Sequence, residues 1–187
     1  MTMNNREILL LTGLGDDKIV ERQLRFISWL NKQRPEDAQI RAFPTLWQTA
    51  ETYADKWSSL LAYVSEHAGI RVVYGVSAGA SLAMSLVPKL PSDTEYHFVS
   101  GKLLYPESIG ADRNNRAPAL RESVTASERV ISATDLSQFN LTCHAGFLDG
   151  VLDQRDMRIP DVPFHRIPMI NHSATIVMAY PTILREL

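Results

Sequence analysis

Short apolar runs alternate with longer amphipathic stretches along this chain. Short runs rich in β-branched residues are typical of buried strands, and apolar residues three and four apart are typical of helices that pack on a sheet. The apolar runs predict strands at residues 7–12, 39–43, 70–76, 97–100, 140–144 and 164–167. The amphipathic stretches predict helices at residues 17–33, 48–67, 78–87, 119–132 and 173–185. This alternation predicts an α/β fold, in which helices cover both faces of a parallel sheet.

Two of the predicted helices show which face is buried. Four apolar residues recur at helical spacing in the first, namely Val20, Leu24, Ile27 and Leu30. The second carries a stripe made of Tyr53, Trp57, Leu60, Leu61 and Val64. We expect the first face to pack on the sheet, and we interpret the aromatic residues of the second as core anchors rather than as a ligand cage.

Composition and charge restrict the class of protein. The chain has 187 residues, a net charge of −2 and a pI of about 6.2, and no segment reads as a linker, so we expect one domain over residues 1–187. No basic stripe is interleaved with aromatic residues, which argues against a nucleic-acid partner. The first apolar run is too short for a signal peptide or a membrane span, and the single Cys143 cannot form an internal disulfide. We therefore expect a cytoplasmic protein without a membrane partner.

The third predicted strand leads into Gly75-Val76-Ser77-Ala78-Gly79, and a predicted helix follows. A G-x-S-x-G sequence in this context is typical of a nucleophile elbow, a tight turn that holds the serine in strained backbone angles. Strand and helix nearly touch at such a turn, so the positions two before and two after the serine must be small. Ser77 is therefore the candidate nucleophile, and the alternative is a structural serine in a tight turn.

A serine nucleophile needs a base that takes its proton and a carboxylate that orients the base. Asp149 follows the fifth predicted strand and His172 precedes the last predicted helix, so both lie on loops at the carboxyl ends of strands. Asp153 and Asp156 also follow that strand, but they lie farther along a polar segment, and we expect both to be solvated. Two other candidate bases, His144 and His165, lie within predicted strands, where a histidine usually packs or hydrogen-bonds in the core.

An oxyanion hole needs two backbone N–H groups near the nucleophile. Ala78 follows the serine and supplies the first candidate, and Leu14, in the glycine-bearing loop after the first strand, supplies the second. A dinucleotide-binding turn is the alternative for this loop, but Lys18 stands where G-x-G-x-x-G requires its third glycine. The five histidines are scattered, so we expect neither a cofactor nor a metal site.

Four motifs resemble those of the α/β-hydrolase fold superfamily, and in particular of its small serine esterases without a lid. They are TGLGD, GVSAG, GFLDGVLD and INHSATIVMAYPTIL, and the resemblance covers nearly the whole chain. It implies that Ser77, Asp149 and His172 form a catalytic triad. The chain departs from the usual residues of the superfamily at Thr12, Val76 and Asn171, none of which is a catalytic group.

The resemblance also implies a doubly wound sheet of six parallel strands in the order 2-1-3-4-5-6. This is a minimal α/β-hydrolase that lacks the first antiparallel strands and a lid. The serine and the loop after the first strand would then lie at the switch point between strands 1 and 3, where ligands bind in such sheets.

The polar connector at residues 101–118 stands where larger relatives insert a lid. Its arginines have two interpretations: they contact an anionic group of the substrate, or they belong to a solvated connector with acidic neighbours. They are Arg113 and Arg116 within the connector and Arg121 just after it. Without a lid, we expect an open site that favours small soluble esters.

These observations predict a serine hydrolase that cleaves small ester or thioester substrates. The alternatives are a non-catalytic binding or scaffold protein on the same fold, and acyl transfer or perhydrolysis by the same triad.

Overall fold

The structure is a computed structural model that describes residues 7–14, 17–32, 39–146, 149 and 151–168. Its strands are β1 (Glu7–Leu11), β2 (Ile40–Phe43), β3 (Ile70–Val76), β4 (Glu95–Val99), β5 (Asn140–Gly146) and β6 (Phe164–Ile167). Its helices are α1 (Asp17–Asn31), α2 (Tyr53–Glu66), α3 (Gly79–Leu86), α4 (Ala111–Arg116) and α5 (Pro118–Ala133). The helix predicted at residues 173–185 lies outside the described residues, and so does His172.

The six strands form one parallel sheet in the order β2-β1-β3-β4-β5-β6, which confirms the predicted fold class and strand order. Because β1 pairs with both β2 and β3, the strand order reverses beside it and opens a crevice at the carboxyl ends of β1 and β3. Leu11, the last residue of β1, is in register with Gly75 of β3. The register therefore brings the loop after β1 beside the G-x-S-x-G sequence.

The side chains of alternate strand residues point to opposite faces of the sheet and contribute to two apolar cores, one on each face. The larger core includes Leu9 of β1 and Leu60 of α2, and the stripe predicted on α2 packs against it. The smaller core includes Ile8 of β1 and Ile27 of α1. Leu24 of α1 is 36 % exposed, so the buried face of α1 is narrower than the sequence predicts.

The connector differs most from its prediction, because it contains the short helix α4. This helix buries none of its residues, so no amphipathic pattern could mark it. Helix α2 starts at Tyr53 rather than at residue 48, because Thr52 and Asp55 form a capping box that ends the preceding loop. In the part of the chain that the structure describes, no helix is long and apolar enough to cross a membrane.

Candidate active site

Ser77 lies at the junction of β3 and α3 with a backbone φ of 52°. A left-handed conformation costs a non-glycine residue about 1–2 kcal/mol, so it persists only where the surroundings hold it. The amide N–H of Ser77 donates to the Val99 carbonyl at 2.9 Å, and its own carbonyl accepts from the amide of Ala80 at 3.2 Å. The structure therefore places Ser77 on a tight strand-to-helix turn with strained backbone angles, as the G-x-S-x-G sequence predicts.

The loop after β1 packs directly against this turn. A Cβ atom on Gly13 would lie 2.9 Å from the Cβ of Ser77, so no side chain fits there. Thr12, beside it, accepts from the amide of Thr45 through Oγ1 at 2.9 Å and from the indole N–H of buried Trp47 through its carbonyl at 3.2 Å. The sequence gives no signal for this role of Trp47, because its contact depends on how the loop after β2 folds over the loop after β1.

A cavity of about 120 Å³ contains Ser77, and we call it the serine cavity. Both predicted oxyanion-hole residues, Leu14 and Ala78, also line it, so the structure brings these three residues together. Ala78 caps the N-terminus of α3, and the first N–H groups of a helix have no acceptor within the helix. Among the described residues, the rest of the lining consists of four apolar and two cationic side chains: Ile109, Leu120, Val151, Leu152, Lys102 and Arg113.

A second cavity of about 390 Å³, which we call the outer cavity, adjoins the first and shares part of its lining. A buried ion pair lies between them: Lys102 Nζ is 2.6 Å from Asp156 Oδ1, and the two side chains are 7 % and 9 % exposed. The expectation that Asp156 is solvated is therefore wrong. The sequence carried no signal for this pair, because the two residues lie far apart in the chain and meet only through the fold.

Asp149 lies on the loop after β5, where the sequence predicts the acid of the triad. Its Oδ1 accepts from the amides of Val151 at 3.1 Å and Leu152 at 3.3 Å, and these bonds orient the carboxylate. Val151 and Leu152 line the serine cavity, so this turn reaches the site. Asp153 is exposed, as predicted, and its hydrogen bond to Arg155 lowers the pKa of its carboxyl group.

The two other candidate bases, His144 and His165, lie away from the serine cavity. His144 is 5 % exposed, and its Nε2 lies 3.1 Å from His97 Nδ1, which confirms a packed and hydrogen-bonded core histidine. His165 stacks on His144 with ring centroids 5.5 Å apart but is exposed. Burial lowers the pKa of His97 to about 4 and that of His144 to about 3, so both rings are neutral near pH 7. Neither His144 nor His165 lines the serine cavity.

Cys143, in β5, is another side chain that could act as a nucleophile. It is 1 % exposed, and burial raises the pKa of its thiol to about 12. The thiolate is the reactive form of cysteine, so a buried thiol that stays protonated does not compete with Ser77.

The connector forms part of the wall beside Ser77. Arg113 of α4 is exposed and lines both cavities, and Ile109 lies beside it in the lining. Arg121 of α5 donates to the Ile109 carbonyl at 3.1 Å and so holds this wall in place. Arg116 is exposed at the end of α4 and lines neither cavity. The three arginines thus have different surroundings, which the sequence could not separate.

No protein-family model matches the chain, and no curated protein sequence matches it. Solved structures do match. One of the metagenome-derived lipolytic enzymes LipS and LipT aligns with a TM-score of 0.67 at 13 % identity, over 98 % of this chain and 94 % of the other. The Paleococcus ferrophilus monoacylglycerol lipase aligns with a TM-score of 0.60 at 13 % identity, over 89 % and 85 %. The ydeN gene product from B. subtilis aligns with a TM-score of 0.60 at 11 % identity, over 96 % and 97 %.

Identities this low show a shared fold. The alignments extend over most of each partner chain, and they agree with the parallel six-stranded sheet and its strand order. This protein therefore has the α/β-hydrolase fold.

Proposed function

We propose that this protein is a serine hydrolase that cleaves small ester or thioester substrates, with Ser77 as the nucleophile, His172 as the base and Asp149 as the orienting acid. The observation that carries the proposal is the strained backbone of Ser77, on a strand-to-helix turn that opens into a cavity. Backbone strain of this kind clusters at active sites. The lipolytic enzymes that share the fold support the same reaction class.

The chemistry would proceed through an acyl-enzyme. His172 takes the proton of Ser77 as Oγ attacks the carbonyl carbon, and the N–H groups of Leu14 and Ala78 stabilise the oxyanion. The tetrahedral intermediate collapses as the alcohol or thiol leaves with the proton from His172. Water then attacks the acyl group with His172 again as base, which releases the acid and restores Ser77. Asp149 holds the imidazole in the productive tautomer and stabilises its charge.

The serine cavity supports small substrates. Its volume of about 120 Å³ lies well below the roughly 300–1,000 Å³ of pockets that enclose drug-sized ligands. Each methylene group buried against its apolar side chains contributes about 0.8 kcal/mol, and this gain ends when the cavity is full. We therefore expect kcat/KM to peak at short acyl chains in a series of p-nitrophenyl esters.

A fluorophosphonate probe tests the assignment of the nucleophile. The wild-type protein should be labelled and should hydrolyse p-nitrophenyl acetate. Ser77→Ala should lose the label and lower kcat by about 10⁴-fold or more, with an unchanged circular dichroism spectrum. Ser65→Ala is a matched control, because Ser65 is an exposed serine on α2 whose hydroxyl donates to the carbonyl of Ala62.

Each contrary result points to a different conclusion. If the folded wild-type protein is neither labelled nor active, the non-catalytic binding protein becomes the better proposal. If Ser77→Ala keeps its label, the nucleophile is another residue. Adding an alcohol or hydrogen peroxide to the assay and analysing the products separates hydrolysis from acyl transfer and perhydrolysis.

A further inference from the structure

The serine cavity has a positive wall. In the described ranges, its charged lining residues are Lys102 and Arg113, and both are cations. Arg113 has no ion-pair partner in those ranges, although it lines both the serine cavity and the outer cavity. A cation without a carboxylate partner beside a candidate nucleophile is available to an anionic group of a ligand.

The N–H groups of Lys102 and Arg113 can bind a carboxylate. Lys102 Nζ donates to Asp156 Oδ1 at 2.6 Å and to Ser108 Oγ at 2.5 Å, and these acceptors account for two of the three N–H groups of an ammonium. Arg113 is exposed, and a guanidinium presents a planar fork of N–H groups that matches the two oxygens of a carboxylate. The two side chains lie where the two cavities meet.

The described carboxylates around the outer cavity form no ion pair with Arg113, which therefore carries the free positive charge of this wall. Asp156 is bound to Lys102, and Asp153 is paired with Arg155 at 2.7 Å. Glu107 lines the outer cavity but not the serine cavity. Among the described residues, the acidic side chains that line the outer cavity therefore do not line the serine cavity.

We propose that the preferred substrates are esters or thioesters whose acyl part ends in a carboxylate, which Arg113 and Lys102 bind at the junction of the two cavities. This inference rests on the proposed hydrolase function, because Ser77 supplies the attack on the same substrate. The apolar residues of the serine cavity enclose the short methylene chain between the carbonyl and the carboxylate. Arg113 is then the residue that determines specificity for the anion.

A matched pair of esters tests the proposal. Monomethyl succinate and methyl 4-oxopentanoate have nearly the same shape, but only the first carries a carboxylate. Release of methanol, followed by NMR, gives kcat/KM for each ester, and the readout is the ratio of the two values. The wild-type ratio should favour the anion and should decrease as NaCl is added, because salt screens an exposed charge.

Arg113→Gln should lower this ratio by about fivefold, which is the upper end of what an exposed ion pair contributes. Arg113→Lys should restore part of it. Arg116→Gln is the matched control, because Arg116 lies on the same helix but lines neither cavity, and its ratio should equal that of the wild type. Equal ratios in Arg113→Gln and Arg116→Gln would overturn the proposal and leave the hydrolase function intact.

Binding separates a failure of this proposal from a failure of the hydrolase function. Calorimetry of monomethyl succinate with Ser77→Ala should show binding that the added Arg113→Gln change weakens and the added Arg116→Gln change does not. If the wild type hydrolyses neither ester but this difference in binding is seen, the hydrolase function fails and the anion site stands. If the two double variants bind equally, the anion site fails.

Discussion

Two regions beside the serine cavity are held together in different ways. The elbow, Gly75 to Gly79, is shaped by close packing of small residues: Gly75 lies against Ala80 and Ala83 of α3, and Gly79 lies against the backbone at the end of β1. The acid segment, residues 149 and 151–157, is anchored by the connector instead. The Asp156 carbonyl accepts from the amides of Leu103 at 3.0 Å and Leu104 at 3.2 Å, and its carboxylate binds Lys102.

This difference explains why the sequence reveals the elbow but not the anchor of the acid segment. A turn built from small residues between a strand and a helix is encoded within a few positions, so its sequence is sufficient to find it. A loop anchored by a buried ion pair depends on a partner from another strand end. We therefore expect substitutions in the acid segment to act through the connector, and substitutions in the elbow to act through the packing of α3 on β3.

The largest effect is expected at the acid segment. Asp149→Asn should lower kcat for p-nitrophenyl acetate by about 10⁴-fold, because an amide stabilises the wrong tautomer of the base. Asp153→Asn is the control, since Asp153 is exposed and pairs with Arg155, and its kcat should stay within twofold of the wild type. A severe loss in Asp153→Asn with normal activity in Asp149→Asn would show that the acid of the triad lies farther along the segment.

The next largest effect is expected at the ion pair of Lys102 and Asp156, which anchors the acid segment. Asp156→Asn leaves the Lys102 ammonium buried without its counter-ion, which should lower the free energy of unfolding by about 3–5 kcal/mol in urea titrations. The double variant Lys102→Met with Asp156→Leu should recover most of that loss, because it removes both charges together. If Asp156→Asn is as stable as Asp153→Asn, the ion pair does not anchor the segment.

The elbow should respond to a single added methyl group. A Cβ atom on Gly75 would lie 2.7 Å from both the Cα of Ala80 and the Cβ of Ala83, so α3 must move away from β3. Gly75→Ala should therefore lower the free energy of unfolding by about 1–3 kcal/mol and reduce activity as well. Gly110→Ala is the matched control, because its added Cβ meets nothing within 4 Å and the stability should change by less than about 0.5 kcal/mol. Equal stability of the two variants would contradict the close packing at the elbow.

Low pH should destabilise the part of the sheet formed by β4 and β5. Burial lowers the pKa of His97 in β4 to about 4 and of His144 in β5 to about 3. The unfolded chain binds protons at these rings below about pH 6.5 and the folded chain does not, so stability is lost as pH falls from there toward 4. At pH 5.5 each ring should lower the free energy of unfolding by about 1.4 kcal/mol.

Urea titrations at pH 7.5 and 5.5 measure this loss, and the double variant His97→Gln with His144→Gln is the comparison. The pH dependence of the wild type should exceed that of the variant. Hydrogen exchange at pH 5.5 should show β4 and β5 losing protection before β1 and β2, because the two histidines lie on β4 and β5. Equal pH dependence of the two proteins would show that these rings do not contribute.

The sequence alone determined the parallel strands, the elbow and the place of Asp149, because each depends on short-range patterns, whereas the strand order followed from the resemblance to the α/β-hydrolase superfamily. Apolar runs mark buried strands, and G-x-S-x-G leaves room for strand and helix to touch. The sequence could not show α4, which buries nothing, or the exposed Leu24 on a helix that reads as amphipathic.

Only the tertiary structure decided that Asp156 is buried in an ion pair with Lys102 and that Arg113 lines the serine cavity. Charged residues in a polar stretch look alike in sequence, whether they end in solvent or in a buried pair. Their burial depends on which strand ends the parallel sheet brings together, and that is a property of the whole fold.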